Sequence, residues 1–198
     1  MRVRTLLWSS SIAAALTVGA ALATAATVPQ ECVAAEPTAA SRTWDFQGEA
    51  NTIFKDIQSD ADQALNDAGH LQSLDRDSLV SWESHAQQLE SLKTEINDIG
   101  AKLCRLQTIR RVLAPWQQQA VDQIASEAQL MANHTQDAIV FGNTHRSDLW
   151  LAPYPGDVNN LESEAHSLDR VVRNAVEYPG VSTQYRELRH DFGTQSGS

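Results

Sequence analysis

Little in this chain breaks or staples a backbone. Its 198 residues include 9 Gly, 6 Pro and 2 Cys. Two cysteines cannot build a disulfide framework or a cysteine-rich zinc site. Sparse Gly and Pro leave long uninterrupted runs, which favour helix. Basic residues are outnumbered, 15 against 25 acids, for a net charge of -10. A surface of that sign repels phosphate, so neither nucleic acid nor anionic lipid is an expected partner. Motifs for chemistry are also missing. There is no HExxH, no Gly-rich phosphate loop, no G-x-S-x-G and no C-x-x-C-H. Glu-x-x-His on two separate helices, the di-iron pattern, is not met. No sharp turn sets a Ser beside a His. Neither enzymatic activity nor a cofactor is expected.

Hydrophobic residues make up 42% of the chain and charged ones 20%. That balance suits a folded domain and is too apolar for full disorder. The length suits one domain. Trp is well represented for so few aromatics, 5 residues.

The N-terminus has the three parts of a secretory signal peptide. Arg2 and Arg4 supply the basic start, Leu6 to Leu22 carries no charge, and Ala23-Thr24-Ala25 offers a cleavage site. Its many Ala, Ser, Thr and Gly residues favour cleavage over retention as an anchor. The reading is therefore signal peptide 1–25, linker 26–43, helical bundle 44–192 and a disordered tail 193–198. No later apolar run spans a bilayer, so the cleaved protein is expected in the periplasm or outside the cell. Losing Arg2 and Arg4 takes two bases from 15 and moves the net charge from -10 to about -12.

A second cut after Ala35 is also open, and it decides the cysteine chemistry. A cut at Ala25 keeps Cys32, and an oxidising compartment then permits a Cys32–Cys104 disulfide. A cut at Ala35 leaves Cys104 alone. Cys104 borders an apolar lane, which equally suits a buried free thiol.

From Trp44 onward, spacing of three and four predicts helices. The first covers 45–71, with lanes Phe46, Ile53, Asp60, Asp67 and Ala50, Ile57, Ala64, Leu71, and Gly69 as C-cap. The second opens at Asp77-Ser78 and continues through Gly100 to Val112, longer than its neighbours. Leu92, Ile99, Leu106 and Leu113, with Leu89, Ile96 and Leu103, repeat every seven residues along it. The third starts at Pro115, which fits a first turn, and ends at Gly142-Asn143. A loop over 143–157 is expected to tuck Trp150 and Leu151 against the core. The fourth helix covers 157–178, Pro179-Gly180 interrupt it, and a short helix follows over 181–192. One stripe per helix predicts an all-α, antiparallel up-down four-helix bundle. The long second helix is expected to project and to need a protein partner or a second copy.

Candidate sites are few. If the first turn centres near Ser73, His85 meets Asp60 in the seam as a polar pair that fixes register. Otherwise both lie at a wet seam edge. His134 and His166 fall at one height if the last two long helices pair about Trp150. Glu162, Glu164, Glu95 and Glu127 lie nearby, and two His with a carboxylate can ligate a divalent metal. A metal- or haem-binding bundle, resting on His85, His134 and His166 with Glu162 as a further candidate ligand, is thus the alternative to an association or spacer module. Chance alignment of six histidines is the plainer account. Trp82-Glu83-Ser84-His85 and Asp148-Leu149-Trp150-Leu151 read as bundle-end residues or as contact anchors. Asn133-His134-Thr135 is formally a glycosylation sequon, placed within a helix.

Overall fold

The computed structural model describes residues 45–77 and 79–195. The expected leader and linker, the Cys32 side of the disulfide and Ser78 lie outside the described residues. Four helices follow one another: α1 Phe46–Asp75, α2 Trp82–Thr108, α3 Pro115–Thr144 and α4 Tyr154–Gln195. A single 3-10 turn, Arg110–Val112, joins α2 to α3. The fold is a four-helix bundle.

Each helix packs against two others, so α1, α2, α3 and α4 close a ring. Every neighbouring pair is antiparallel. Across α1 and α2, Lys102 reaches Asp60 while Ser91 reaches Asp67. Across α1 and α4, Gln72 meets Asn159 and Asp62 meets Arg173. Across α3 and α4, His134 meets Asp157 while Trp116 meets Tyr178.

The buried stripes are continuous. In α1 they are Ala50, Phe54, Ile57, Ala61, Ala64, Ala68 and Leu71. In α2 they are Leu89, Leu92, Ile96, Ile99, Leu103 and Leu106, and Leu113 extends the lane past the helix end. The seven-residue seam is therefore the protein's own interior. Gly100 stays helical and buried within it.

Local signals explain most boundaries. Asp45 caps α1, accepting a 2.9 Å bond from the Gly48 amide. Pro115 occupies the first turn of α3. Gln117, 1% exposed, accepts from the Ala114 amide and donates to the Gln47 carbonyl and to Asn51. It forms half a capping box, because alanine has no acceptor to return the bond.

Several boundaries differ from expectation. Gly69 lies inside α1, and no described glycine has positive φ. The helix runs on because Leu71 is still buried and Leu74 half-buried. The second lane of α1 is Phe54, Ala61 and Ala68, so Asp60 stands one position off the core. Asp77 does not cap α2. Its carboxylate accepts from the Leu79 amide in the preceding turn, and Ser81 takes the N-cap position. α2 is accordingly 27 residues, shorter than α1 and α3 at 30. It does not project. The longest helix is α4, 42 residues, which passes through Pro179 and absorbs the expected short final helix. It also reaches Gln195, inside the stretch expected as a tail.

The loop between α3 and α4 reverses another expectation. Trp150 is 73% exposed and Leu151 lies open too. Tyr154, at the start of α4, is the aromatic that fills the core there, beside Trp82 and Phe141.

Two glycines separate propensity from packing. A Cβ at Gly142 would overlap the Trp82 ring, whereas one at Gly69 meets nothing. Gly69→Ala is expected to raise stability by about 1 kcal/mol through helix propensity. Gly142→Ala is expected to lower it by about 1–3 kcal/mol through overpacking, despite the same propensity gain. Denaturant midpoints of the two variants check the opposite signs.

Candidate functional site

Two groups of polar side chains with little access to water lie toward the end where α4 begins, while Gln117 is buried at the other end. His85 is 2% exposed on α2, and its Nδ1 lies 2.7 Å from the Tyr154 hydroxyl. The rings also touch, 5.6 Å between centroids. Burial pushes His85 below its ordinary value. Burial, then Asp75 and Asp157, pushes the Tyr154 phenol up. Both shifts favour uncharged partners, with the phenol donating to a neutral imidazole.

One layer away, His134 on α3 is held between two carboxylates of α4. Its Nδ1 lies 3.2 Å from Asp157 Oδ1 and its Nε2 3.3 Å from Glu164 Oε1. Asp137, one turn along α3, brings a third carboxylate to the ring. Asp157 is only 8% exposed. Its second oxygen, Oδ2, has no hydrogen-bond partner, and neither does Glu164 Oε2. Burial holds the Glu164 carboxyl above the usual carboxylate range; His134 opposes this, while Glu127 and Asp157 add to it. Among the described residues, His134 is the one basic side chain that an ion pair brings to Asp157 and Glu164.

The other expected groupings separate. His85 and Asp60 do not meet. Asp60 bonds Lys102, and burial raises its carboxyl although Lys102 counteracts this. The pairs Lys102–Asp60 and Ser91–Asp67 put His85 opposite the last turn of α1, where Asp75 lies. The turn centres near Val80 rather than Ser73, because α1 continues past Gly69. His166 does not approach His134. It is exposed and pairs with Glu162 on its own helix, at 3.3 Å. Glu95 on α2 is raised by burial, then by Asp60, Asp98 and Asp67. Asp67 itself is buried and accepts from Ser91 at 2.6 Å and from Gln63. Cys104 is half-buried on α2 and is disulfide-bonded. Thr135 is fully buried, so the Asn133-His134-Thr135 sequon is not displayed as a surface loop.

Sequence reasoning therefore found His134 and Glu164 but not Asp157 or Asp137. The available signal was the His-x-x-Asp spacing of His134 and Asp137, which shares one helix face. Asp157 carried no signal, because its placement depends on where α4 begins.

A buried neutral imidazole makes stability depend on pH. His85 has a folded-state value below its ordinary 6.5, so the unfolded chain takes up that proton first as pH falls. This contribution is fully present above 6.5 and is lost below it. The raised carboxylates Asp60, Glu95 and Glu164 act in the opposite sense. Comparison with His85→Gln cancels them. Between neutral pH and about pH 5 the wild-type chain is expected to lose more stability than this variant in urea titrations. Tyr154→Phe, which leaves the imidazole nitrogen unpartnered, is expected to cost about 1–3 kcal/mol at neutral pH.

Compared with protein-family models, with curated proteins and with solved structures, the chain finds no match.

Proposed function

We propose that this protein is an exported, non-catalytic helical module that works by association, and that its contact surface is the last part of α4. One observation carries the reading. The buried stripe of α4 ends at Ala175, yet the helix goes on to Gln195. Beyond that point Tyr178, Val181, Tyr185 and Leu188 are 47, 60, 64 and 54% exposed. Their spacing is three and four, the seam of a helix that packs against another helix. A solvated helix would carry polar residues in those places. Isolated exposed apolar residues need no explanation, but a regular row of four does.

A second copy of the chain fits the row best. Two such helices laid antiparallel about Thr183 set Tyr178 opposite Leu188 and Val181 opposite Tyr185. The same register sets Glu177 opposite Arg189, an acid against a base. A two-fold pair of this kind uses one patch twice and closes on itself. With four large residues per copy, the contact is small and the dimer weak. Support for export comes from the leader in the sequence, and the periplasm or the extracellular space is proposed on that basis. Among the described residues, no helix is long and apolar enough to cross a membrane.

Sedimentation velocity over a concentration series is expected to show a reversible dimer. Val181→Glu combined with Leu188→Glu is expected to abolish it while leaving helical circular dichroism unchanged. A wild-type chain that remains monomeric at every concentration overturns the self-association. A dimer that survives the double substitution overturns the assignment to α4.

A further inference from the structure

The His134 cluster lies within the bundle, away from the row on α4, and it contains a chemical imbalance. A buried carboxylate, Asp157, and a half-buried one, Glu164, share one imidazole. A neutral imidazole donates from one nitrogen only, so it can satisfy one of them. Even a protonated ring leaves Asp157 Oδ2 and Glu164 Oε2 without partners. Burying a carboxylate oxygen with nothing to accept from is costly unless a cation or a donor completes it. Asp157 is more than nine-tenths buried, so bulk water does not readily supply that donor.

We propose that His134, Asp137 and Asp157 bind one divalent transition-metal ion, with Zn2+ the representative species, and that Glu164 holds the ring from its other side. The ligand atoms of the three residues lie within 4.8 Å of one another. Tetrahedral zinc needs them about 3.4 Å apart, from metal–ligand distances near 2.1 Å. Asp137 is exposed and free to turn inward by that margin. The division of roles follows from the ring. Nδ1 faces Asp157 and Nε2 faces Glu164. With the metal on Nδ1, the Nε2 proton goes to Glu164. That is the carboxylate–histidine–metal arrangement that fixes tautomer and orientation. One nitrogen with carboxylate oxygens suits zinc and its first-row neighbours. Calcium, which takes six to eight oxygens, is poorly matched. Three protein ligands leave a fourth position for water, which also gives a donor to an unpartnered oxygen.

Isothermal titration of the chelator-treated full chain with Zn2+ tests the assignment. One equivalent is expected to bind saturably, displacing protons and raising the melting temperature. His134→Gln and Asp157→Asn are expected to abolish that equivalent, and Glu164→Gln to weaken it by about 10- to 100-fold. His166→Gln, on the exposed Glu162 pair, is expected to bind as wild type. Folding is controlled by melting each variant in chelator. There Asp157→Asn is expected to melt cooperatively near the wild type, since its amide oxygen still accepts from His134 and its amide nitrogen replaces the oxygen that lacks a partner. Absence of saturable Zn2+ binding overturns the proposal, and the cluster is then a carboxylate–histidine clamp. Binding that persists undiminished in both His134→Gln and Asp157→Asn overturns it too, since the ion then sits on the acidic surface.

Discussion

Water has to be kept from one face of every helix, and the closing of those four faces on one another sets the rest of the molecule. A fully buried Leu, Ile or Phe contributes about 1.5–3 kcal/mol. An exposed ion pair contributes about 0–1 kcal/mol. The contrast decides which interaction determines register. Leu89 to Leu106 on α2 and Ala50 to Leu71 on α1 fix how those two helices slide. Lys102–Asp60 and Arg105–Glu49 then form where that alignment leaves opposite charges facing. Alanines at 50, 61, 64 and 68 let α1 approach its neighbours closely. Larger residues on α2 fill the space. Tyr154 seals the end where α4 starts, and its hydroxyl is placed for His85 by the same alignment.

The periodic parts of this fold were legible because periodicity is itself the physical cause of burial. The lanes of α2, the passage through Gly100 and the Pro115 start are all visible as spacing or turn chemistry. The ends of elements were not, because they depend on competition between local signals. Gly69 offered a stop, but apolar residues beyond it still had a core to enter. Asp77 offered a cap, but its carboxylate was spent on the turn before the helix. Each choice moved the α1–α2 turn by several residues. That shift separated His85 from Asp60 and carried it to Tyr154. Trp150 and Tyr154 both bordered the same loop, and only the observed start of α4 shows which ring enters the core. Pro179 offered a break, yet α4 passes through it. Of the polar cluster, His134 and Glu164 could be named from their own helices. Asp157 joins them only through where α4 begins.

The two ends of the bundle differ in what they leave unfinished. At the end where α4 begins, Asp157 and Glu164 each keep one shielded carboxylate oxygen without a partner. At the other end, the Trp116 ring tilts against Tyr178 at 4.7 Å between centroids, and beyond this contact no other helix among the described residues covers the apolar row of α4. Both features lie on α4, in its first three turns and in its last ones, while its middle is ordinary core. This helix carries the departures from a self-sufficient bundle.

Gln117 joins helices that sit diagonally across the ring. Its amide holds the start of α3 through Ala114 and the start of α1 through Gln47 and Asn51. Neither helix can unwind its first turn without stripping a buried side chain of partners that the other supplies. The two openings are thus one thermodynamic event. Amide protons in both first turns should exchange with solvent at a common rate, slower than helix fraying normally allows.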